Sequence, residues 1–378
     1  MSIIELNRTV EKENRWLVPL QIIPGMRLGT LMRVLSRNRF RVDRKCFGRL
    51  GFLLLMGALN SILSRYEKPC YGSRLEGACI EKPPLFILGH MRSGTTYLHH
   101  LMSQDENFDF PSTYQAIFPH HYGYSQEDGS RVFNRLVPNM RPMDNVAFRA
   151  STPHEDEFAV AALCGISPYI RVLFPMTENA GHTALDPKSL QPDALESWKD
   201  ALTCYIKKLC LWKHPKRILL KSPPHMGRIP MLLTLFPGAQ FIHIVRNPYD
   251  VYLSTRHLWL STFAHSHLQV PDRETIDQII LSWYVELFFL FERDRHLIPA
   301  GTIHELKYED LERDPLQSLE SIYDSLRLPG FDRFRIRTSQ YLETIKGYRK
   351  NKFQIDDASR EKVRMRWRST FDCYGYPL

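Results

Sequence analysis

Cysteine is scarce: seven in 378 residues, an odd number, with no C-x-x-C pair. That pattern excludes a disulfide-stapled secreted framework and a zinc knuckle, and a reducing compartment is the simpler expectation. Internal repeats and low-complexity tracts are also lacking, and no run reaches the ~20 apolar residues that a spanning helix needs. The longest, Leu50 to Leu59, follows Arg49 and stops at Asn60 and Ser61. The opening MSIIELNRTVEKENRW has no apolar core of a secretory signal, so a cytoplasmic location is expected. At 43% apolar, 24% charged and 12% aromatic, the chain is too apolar for disorder and too charged for a polytopic membrane protein.

What is present in excess is positive charge. Lys and Arg total 50 against 41 Asp and Glu, a net +9, which favours anionic partners without choosing among nucleic acid, phosphorylated cofactor and lipid. Seven of these cations (Arg33, Arg37, Arg39, Arg41, Arg44, Lys45 and Arg49) precede the apolar run, opposed only by Asp43. Such a segment can seat peripherally on an anionic membrane or pack as a buried helix beside a solvated basic face, and both readings stay open.

Residues 1–82 read as a helical, basic N-terminal extension with a linker over 66–84, and residues 83–378 as the main domain. In the latter, LFIL (85–88), RILL (217–220), FIHIV (241–245) and TIHEL (302–306) are short β-rich runs separated by helix-length segments, the pattern of crossover units around a parallel sheet. Thr152-Pro153-His154-Glu155 reads as a capping box that starts a helix at Pro153. Asp272 reads as the cap of another, whose stripe Ile276, Ile279, Ile280, Trp283, Leu287 and Leu290 is core.

Directly after LFIL comes Gly89-His-Met-Arg92-Ser93-Gly94-Thr95-Thr96, then an apolar helical run. The frame is that of a phosphate-binding loop, whose glycines let backbone N–H groups and a helix N-terminus close on an anion. Thr95 stands where the usual lysine would be, and FIHIV ends in Arg246 where a magnesium-holding carboxylate would be expected. Metal-assisted ATP chemistry is therefore disfavoured, and a nucleotide kinase is the rival rather than the expectation. Arg246-Asn-Pro-Tyr-Asp-Val-Tyr-Leu-Ser254 forms a second strand-to-helix junction whose Arg and Ser can meet a separate phosphate. Two phosphate sites on adjacent strand ends imply a nucleotide phosphorylated twice.

The sequence resembles the sulfotransferases that use 3′-phosphoadenosine 5′-phosphosulfate (PAPS), in their broad bacterial-type branch. G-x-x-R-S-G-T-T is similar to their 5′-phosphosulfate loop, R-N-P-x-D-x-x-x-S to their 3′-phosphate element, and Tyr308-Glu-Asp-Leu to a segment whose Tyr lies near the adenine. The likeness spans residue 83 to the C-terminus. It implies a P-loop-like three-layer α/β fold, with a central parallel sheet between helices and the helical extension added. PAPS is the implied donor, its product adenosine 3′,5′-bisphosphate (PAP), with no metal required. The implied donor contacts are Arg92, Ser93, Gly94, Thr95, Thr96, Arg246, Ser254 and Tyr308, with Lys350 and Asn351 in a weaker basic motif.

Sulfuryl transfer needs a base on the acceptor hydroxyl and positive charge on the departing phosphate. Arg92 and Lys221, at the end of RILL, are the candidates for the charge. Where the cytosolic branch places its catalytic His, this chain has Pro223. The base is then sought in Glu155, Glu157 or His154, with His225 as a remainder, and Glu155 also has a capping role open to it. The paired histidines at 99–100 and 120–121 diverge in direction and lack a third ligand, so no metal is expected there. Aromatic residues between the motifs (Phe108, Phe110, Tyr114, Phe118, Tyr122, Tyr124, Phe158, Tyr169 and Phe174) tilt the acceptor toward a hydrophobic alcohol, phenol or lipid, with a carbohydrate as the alternative and no nucleic acid partner. A non-catalytic anionic-surface binder is the rival outside enzymes.

Overall fold

The computed structural model describes residues 23–378 apart from 142, 145, 179, 213–215, 348–350 and 352. Its centre is a parallel sheet of five strands, β1 (Leu85–Leu88), β2 (Phe108–Asp109), β3 (Arg217–Lys221), β4 (Gln240–Val245) and β5 (Ile303–Lys307), in the order β2-β3-β1-β4-β5. Four of the strands lie where the β-rich runs are. β2 escapes sequence reading because two residues carry no period, and it is defined only by its pairing with Arg217 and Ile218. β1 is central and buried along its whole length, flanked in register by β3 and β4. Such a strand reads as an unbroken apolar run because helices cover both faces of a parallel sheet.

The covering helices are α1 (Leu28–Arg37), α2 (Phe47–Glu76), α3 (Thr95–Met102), α4 (Thr113–Ile117), α5 (Tyr122–Leu136), α6 (Glu157–Cys164), α7 (Pro192–Trp212), α8 (Pro248–Ser261), α9 (Arg273–Asp294), α10 (Tyr308–Arg313) and α11 (Pro315–Leu326). α9 is capped by Asp272, which accepts from the Thr275 N–H at 2.8 Å, and its predicted stripe is buried. One apolar cluster holds this stripe together with Phe86 and Leu88 of β1, and another holds Leu85, Ile87 and the β5–α11 side.

The N-terminal helices share the first cluster through Ile23, Met26, Leu31, Val34, Leu35 and Leu53. α2 runs well past the apolar stretch, to Glu76, so the segment expected as a linker is helical over most of its length. Tertiary bonds hold it in place. Asn60 Nδ2 donates to the carbonyls of Pro24 (2.7 Å) and Met26 (3.0 Å), His121 pairs with the Asn60 Oδ1, and Glu67 forms a buried ion pair with Lys208. The helical stretch Arg44–Glu67, a short turn followed by the first part of α2, is long and apolar enough to cross a membrane by length and composition.

Two local expectations need correction. Pro153 forms a β-bridge with Ser112, which keeps the backbone extended, and the helix starts only at Glu157. The Thr152 hydroxyl donates to the Arg149 carbonyl instead of capping. Glu155 is thereby released from any capping role, and its side chain is free to point elsewhere.

Candidate active site

The loop between β1 and α3 is built by backbone conformations that few residues adopt. Gly94 has φ +98°, and a β-carbon there would lie 2.2 Å from the Tyr308 ring. Gly89 has φ +151°, and a β-carbon would lie 2.6 Å from the Ile244 carbonyl. Both positions require glycine. Arg92 itself has φ +71°, a conformation that residues other than glycine seldom adopt. The first N–H groups of α3 have no acceptor inside the helix and point out of its N-terminus, the geometry of an anion cradle.

Arg246, one residue beyond β4, donates from Nη1 to the Arg92 carbonyl at 3.2 Å, and its guanidinium stacks 4.6 Å from the centre of the Tyr308 ring. Its Nε is buried with no protein partner. A buried orphan donor next to the cradle is what a site for an anionic oxygen looks like, so these residues fit a phosphate. α8 begins with Asn247 as cap and Pro248 in the first turn, and Ser254, two turns in, accepts from Arg92 Nε at 2.9 Å. The two motifs thus meet directly through Arg92 and Ser254. No motif marks the residue that closes the cluster: Asp144 lies 2.7 Å from Arg92 and 2.6 Å from Arg141, and these two cations hold its buried carboxyl well below the ordinary range although burial alone would raise it. Ser93 turns inward and donates to the His90 carbonyl at 2.7 Å, so its part in the cradle is structural on the side-chain side. Asn351 donates to the Met143 carbonyl at 3.0 Å, and Lys350 lies outside the described residues.

β3 delivers Lys221 to the same edge. Its ammonium is 2.6 Å from Glu155 Oε1 and 3.4 Å from the Thr96 hydroxyl, which links the cradle to a carboxylate. The other Glu155 oxygen accepts from the Tyr169 hydroxyl at 2.5 Å. Burial alone would raise the Glu155 pKa, but the Lys221 ammonium and the Tyr169 hydroxyl together hold it below its ordinary value. Burial lowers that of Lys221, which Glu155 opposes. The sequence marks Tyr169 only as apolar lining, since a tyrosine's hydroxyl partner is not visible there.

The other candidate bases sit elsewhere. Glu157 makes a fully buried bidentate pair with Arg228 and faces away from the cavity, so it drops out. His225 is likewise sealed, bonded to Asp156 at 2.7 Å. His154 does line the cavity, edge-on to Phe158 at 4.6 Å, with burial lowering its pKa to about 4.

Arg92, Thr96, Lys221, Glu155, Arg246 and Ser254 all line one cavity of about 1260 Å³, above the roughly 300–1,000 Å³ of pockets for drug-sized ligands. Beyond Glu155 its walls are mainly apolar, including Tyr114, Phe118 and Phe158 from the aromatic set, and it extends to Phe52, Met56 and Leu63 on α2; the polar Asn60, His121 and Ser125 at that end are bonded to one another. Phe108, Tyr122 and Phe174 are core instead, and Tyr124 is exposed.

Comparison with known proteins places the chain in a family. Residues 83–333 match the model of the sulfotransferase family. An omega-hydroxy-beta-dihydromenaquinone-9 sulfotransferase of Mycobacterium bovis is 34% identical over 377 residues, covering 100% of this chain and 96% of that protein. In fold, the chain is similar to sulfotransferase STF1 of Mycobacterium tuberculosis (TM-score 0.67, 18% identity, covering 98% of this chain and 99% of that one). The likeness to sulfotransferase STF9 of Mycobacterium avium is equal in TM-score, 0.67, at 17% identity, over 94% of this chain and 98% of that one. With a cradle, two arginines and a Lys–Glu pair on one sheet edge, and with these relatives, the chain belongs to the sulfotransferase family and is a sulfotransferase.

Proposed function

We propose that the protein transfers a sulfuryl group from PAPS to the terminal hydroxyl of a long, apolar lipid, of the hydroxylated isoprenoid-quinone kind named for its 34% identical relative. The donor supplies an electrophilic sulfur, whose bond to the bridging phosphate oxygen breaks as the acceptor oxygen bonds to it. The cradle of Gly94, Thr95 and Thr96 would hold the 5′-phosphate with backbone N–H groups and hydroxyls. Arg246, with its orphan Nε, and Ser254 would hold the 3′-phosphate, and Tyr308 would flank the adenine.

Glu155, ionised at neutral pH, takes the proton from the acceptor hydroxyl. Lys221 then faces an electrostatic choice. Once Glu155 is protonated, the attraction across 2.6 Å is gone, and the ammonium is free to stabilise charge growing on the departing phosphate beside Thr96. Arg92 adds a fixed positive charge from the loop. The observation that carries the reading is this Lys221, bonded to the base candidate on one side and to the cradle on the other.

The largely apolar depth of the cavity supports a lipid over a sugar, because sugar hydroxyls desolvated against Phe and Met side chains would find few partners, Asn60, His121 and Ser125 there being already bonded to one another. The test is transfer from labelled PAPS to a panel of hydroxylated polyprenyl quinones, long-chain alcohols and oligosaccharides. The long apolar alcohols are expected to be sulfated and the sugars not. Preference for sugars would overturn the acceptor class.

A further inference from the structure

α2 presents three faces. Leu53, Gly57, Asn60 and Glu67 are buried against the fold, and Phe52, Met56, Leu59 and Leu63 line the cavity. The third face points to solvent and is mainly apolar: Gly48, Gly51, Leu55, Leu59, Ile62 and Tyr66 recur at helical spacing, with the exposed Arg65 at its border. The four large residues among these are between 43% and 68% exposed. A helix face in contact with water ordinarily carries polar residues. Leu59 belongs to both the outer stripe and the cavity wall, so the apolar surface runs without a break from outside to inside. On the facing helix α5, Val132 and Leu136 do the same, exposed and yet lining the cavity. The cavity therefore opens to the surface between α2 and α5, through an apolar rim.

Basic residues lead into the outer stripe along the chain. Arg33, Arg37, Arg39, Arg41, Arg44 and Lys45, on α1 and the turn into α2, are all exposed. Arg49 is engaged with the His267 carbonyl. Of the acids nearby, Asp43 accepts the Val270 N–H, and Glu127 and Asp128 on α5 are paired with Arg131. A second copy meeting this surface about a two-fold axis would set the arginines against one another, whereas an anionic leaflet complements them. The buried face of α2 is committed to the protein, which fits a helix lying in a membrane interface rather than one crossing it.

We propose that the outer stripe of α2 and the α5 rim dock on an anionic lipid bilayer, and that the acceptor passes from the bilayer into the cavity between the two helices. This rests on the lipid acceptor proposed above. The test is co-flotation of the full chain with phosphatidylcholine vesicles, with and without phosphatidylglycerol. The chain is expected to float with the anionic vesicles. A Leu55→Glu/Ile62→Glu variant, at positions outside the cavity, is expected to partition about tenfold less. An Arg39→Gln/Arg44→Gln/Lys45→Gln variant is expected to lose the preference for phosphatidylglycerol.

Sulfation of a short, water-soluble alcohol checks the fold and the lipid-alcohol chemistry separately: Leu55→Glu/Ile62→Glu should leave it unchanged while lowering sulfation of a vesicle-embedded acceptor. No flotation of the wild type at low salt would overturn the proposal. So would equal flotation of the Leu55→Glu/Ile62→Glu variant, or a dimer in solution that the same variant dissociates without any vesicle binding. If no form sulfates any alcohol, the acceptor reading fails, whatever the flotation shows.

Discussion

Glu155 and Glu157 are two residues apart and face different partners, one a lysine at the cavity wall and the other an arginine in the core. Their substitutions should separate cleanly. Glu155→Gln keeps the shape and the acceptor for Tyr169, and is expected to lower kcat by about 10²–10⁴ with little effect on donor affinity. Glu157→Gln leaves Arg228 charged and sealed, and is expected to cost about 3–5 kcal/mol of stability, read by denaturant unfolding. His154→Asn distinguishes the remaining rival: a fall in kcat as large as that of Glu155→Gln would move the base to the imidazole. The pH profile adds a second check. Since the folded-state pKa of Glu155 lies below its ordinary 4.5, its carboxylate persists as pH falls through 6 and 5, and the acid limb of kcat/KM should lie below 4.5. An acid limb near 6 would reject Glu155 in this role. The sequence places Glu155 first among the three but shows none of the partners that separate them, since all three lie within one four-residue stretch.

At the scale of elements, legibility followed locality. The strand–loop–helix cradle and the β4–α8 junction could be read because glycine conformation, proline at the first turn and strand composition are local properties. The capping box at Thr152 failed for the opposite reason: a bridge from Pro153 to Ser112, contributed by a distant segment, overrode it. Asp144 was invisible because nothing near it in sequence marks a carboxylate that two arginines will share. The β4–α8 junction can be tested directly. Arg246 stacks on Tyr308 and bonds the loop backbone, so Arg246→Ala removes a charge-assisted contact worth about 1.5–3 kcal/mol. Donor affinity, measured by calorimetry with PAP, should weaken about tenfold to a hundredfold, while acceptor KM changes little. Unchanged PAP affinity would remove Arg246 from the donor site.

For the whole molecule, the central fact is that the cavity is assembled from both ends of the chain's architecture: the sheet edge provides the charges and α2 the far apolar wall. Composition could indicate aromatic and apolar surplus, but not that α2 would continue through polar residues to Glu76 and pack on the domain that follows. This arrangement predicts how the acceptor is measured. Each methylene that enters the apolar wall gains about 0.8 kcal/mol at most, or up to about fourfold in kcat/KM. A homologous alcohol series should therefore rise steeply with chain length and then level off where the tail reaches Met56 and Leu63. Leu63→Arg, which places a charge at that far wall, should shift the plateau to shorter chains while leaving the short alcohols unaffected. A flat dependence on length, or a loss at every length in Leu63→Arg, would mean that the tail does not occupy this wall.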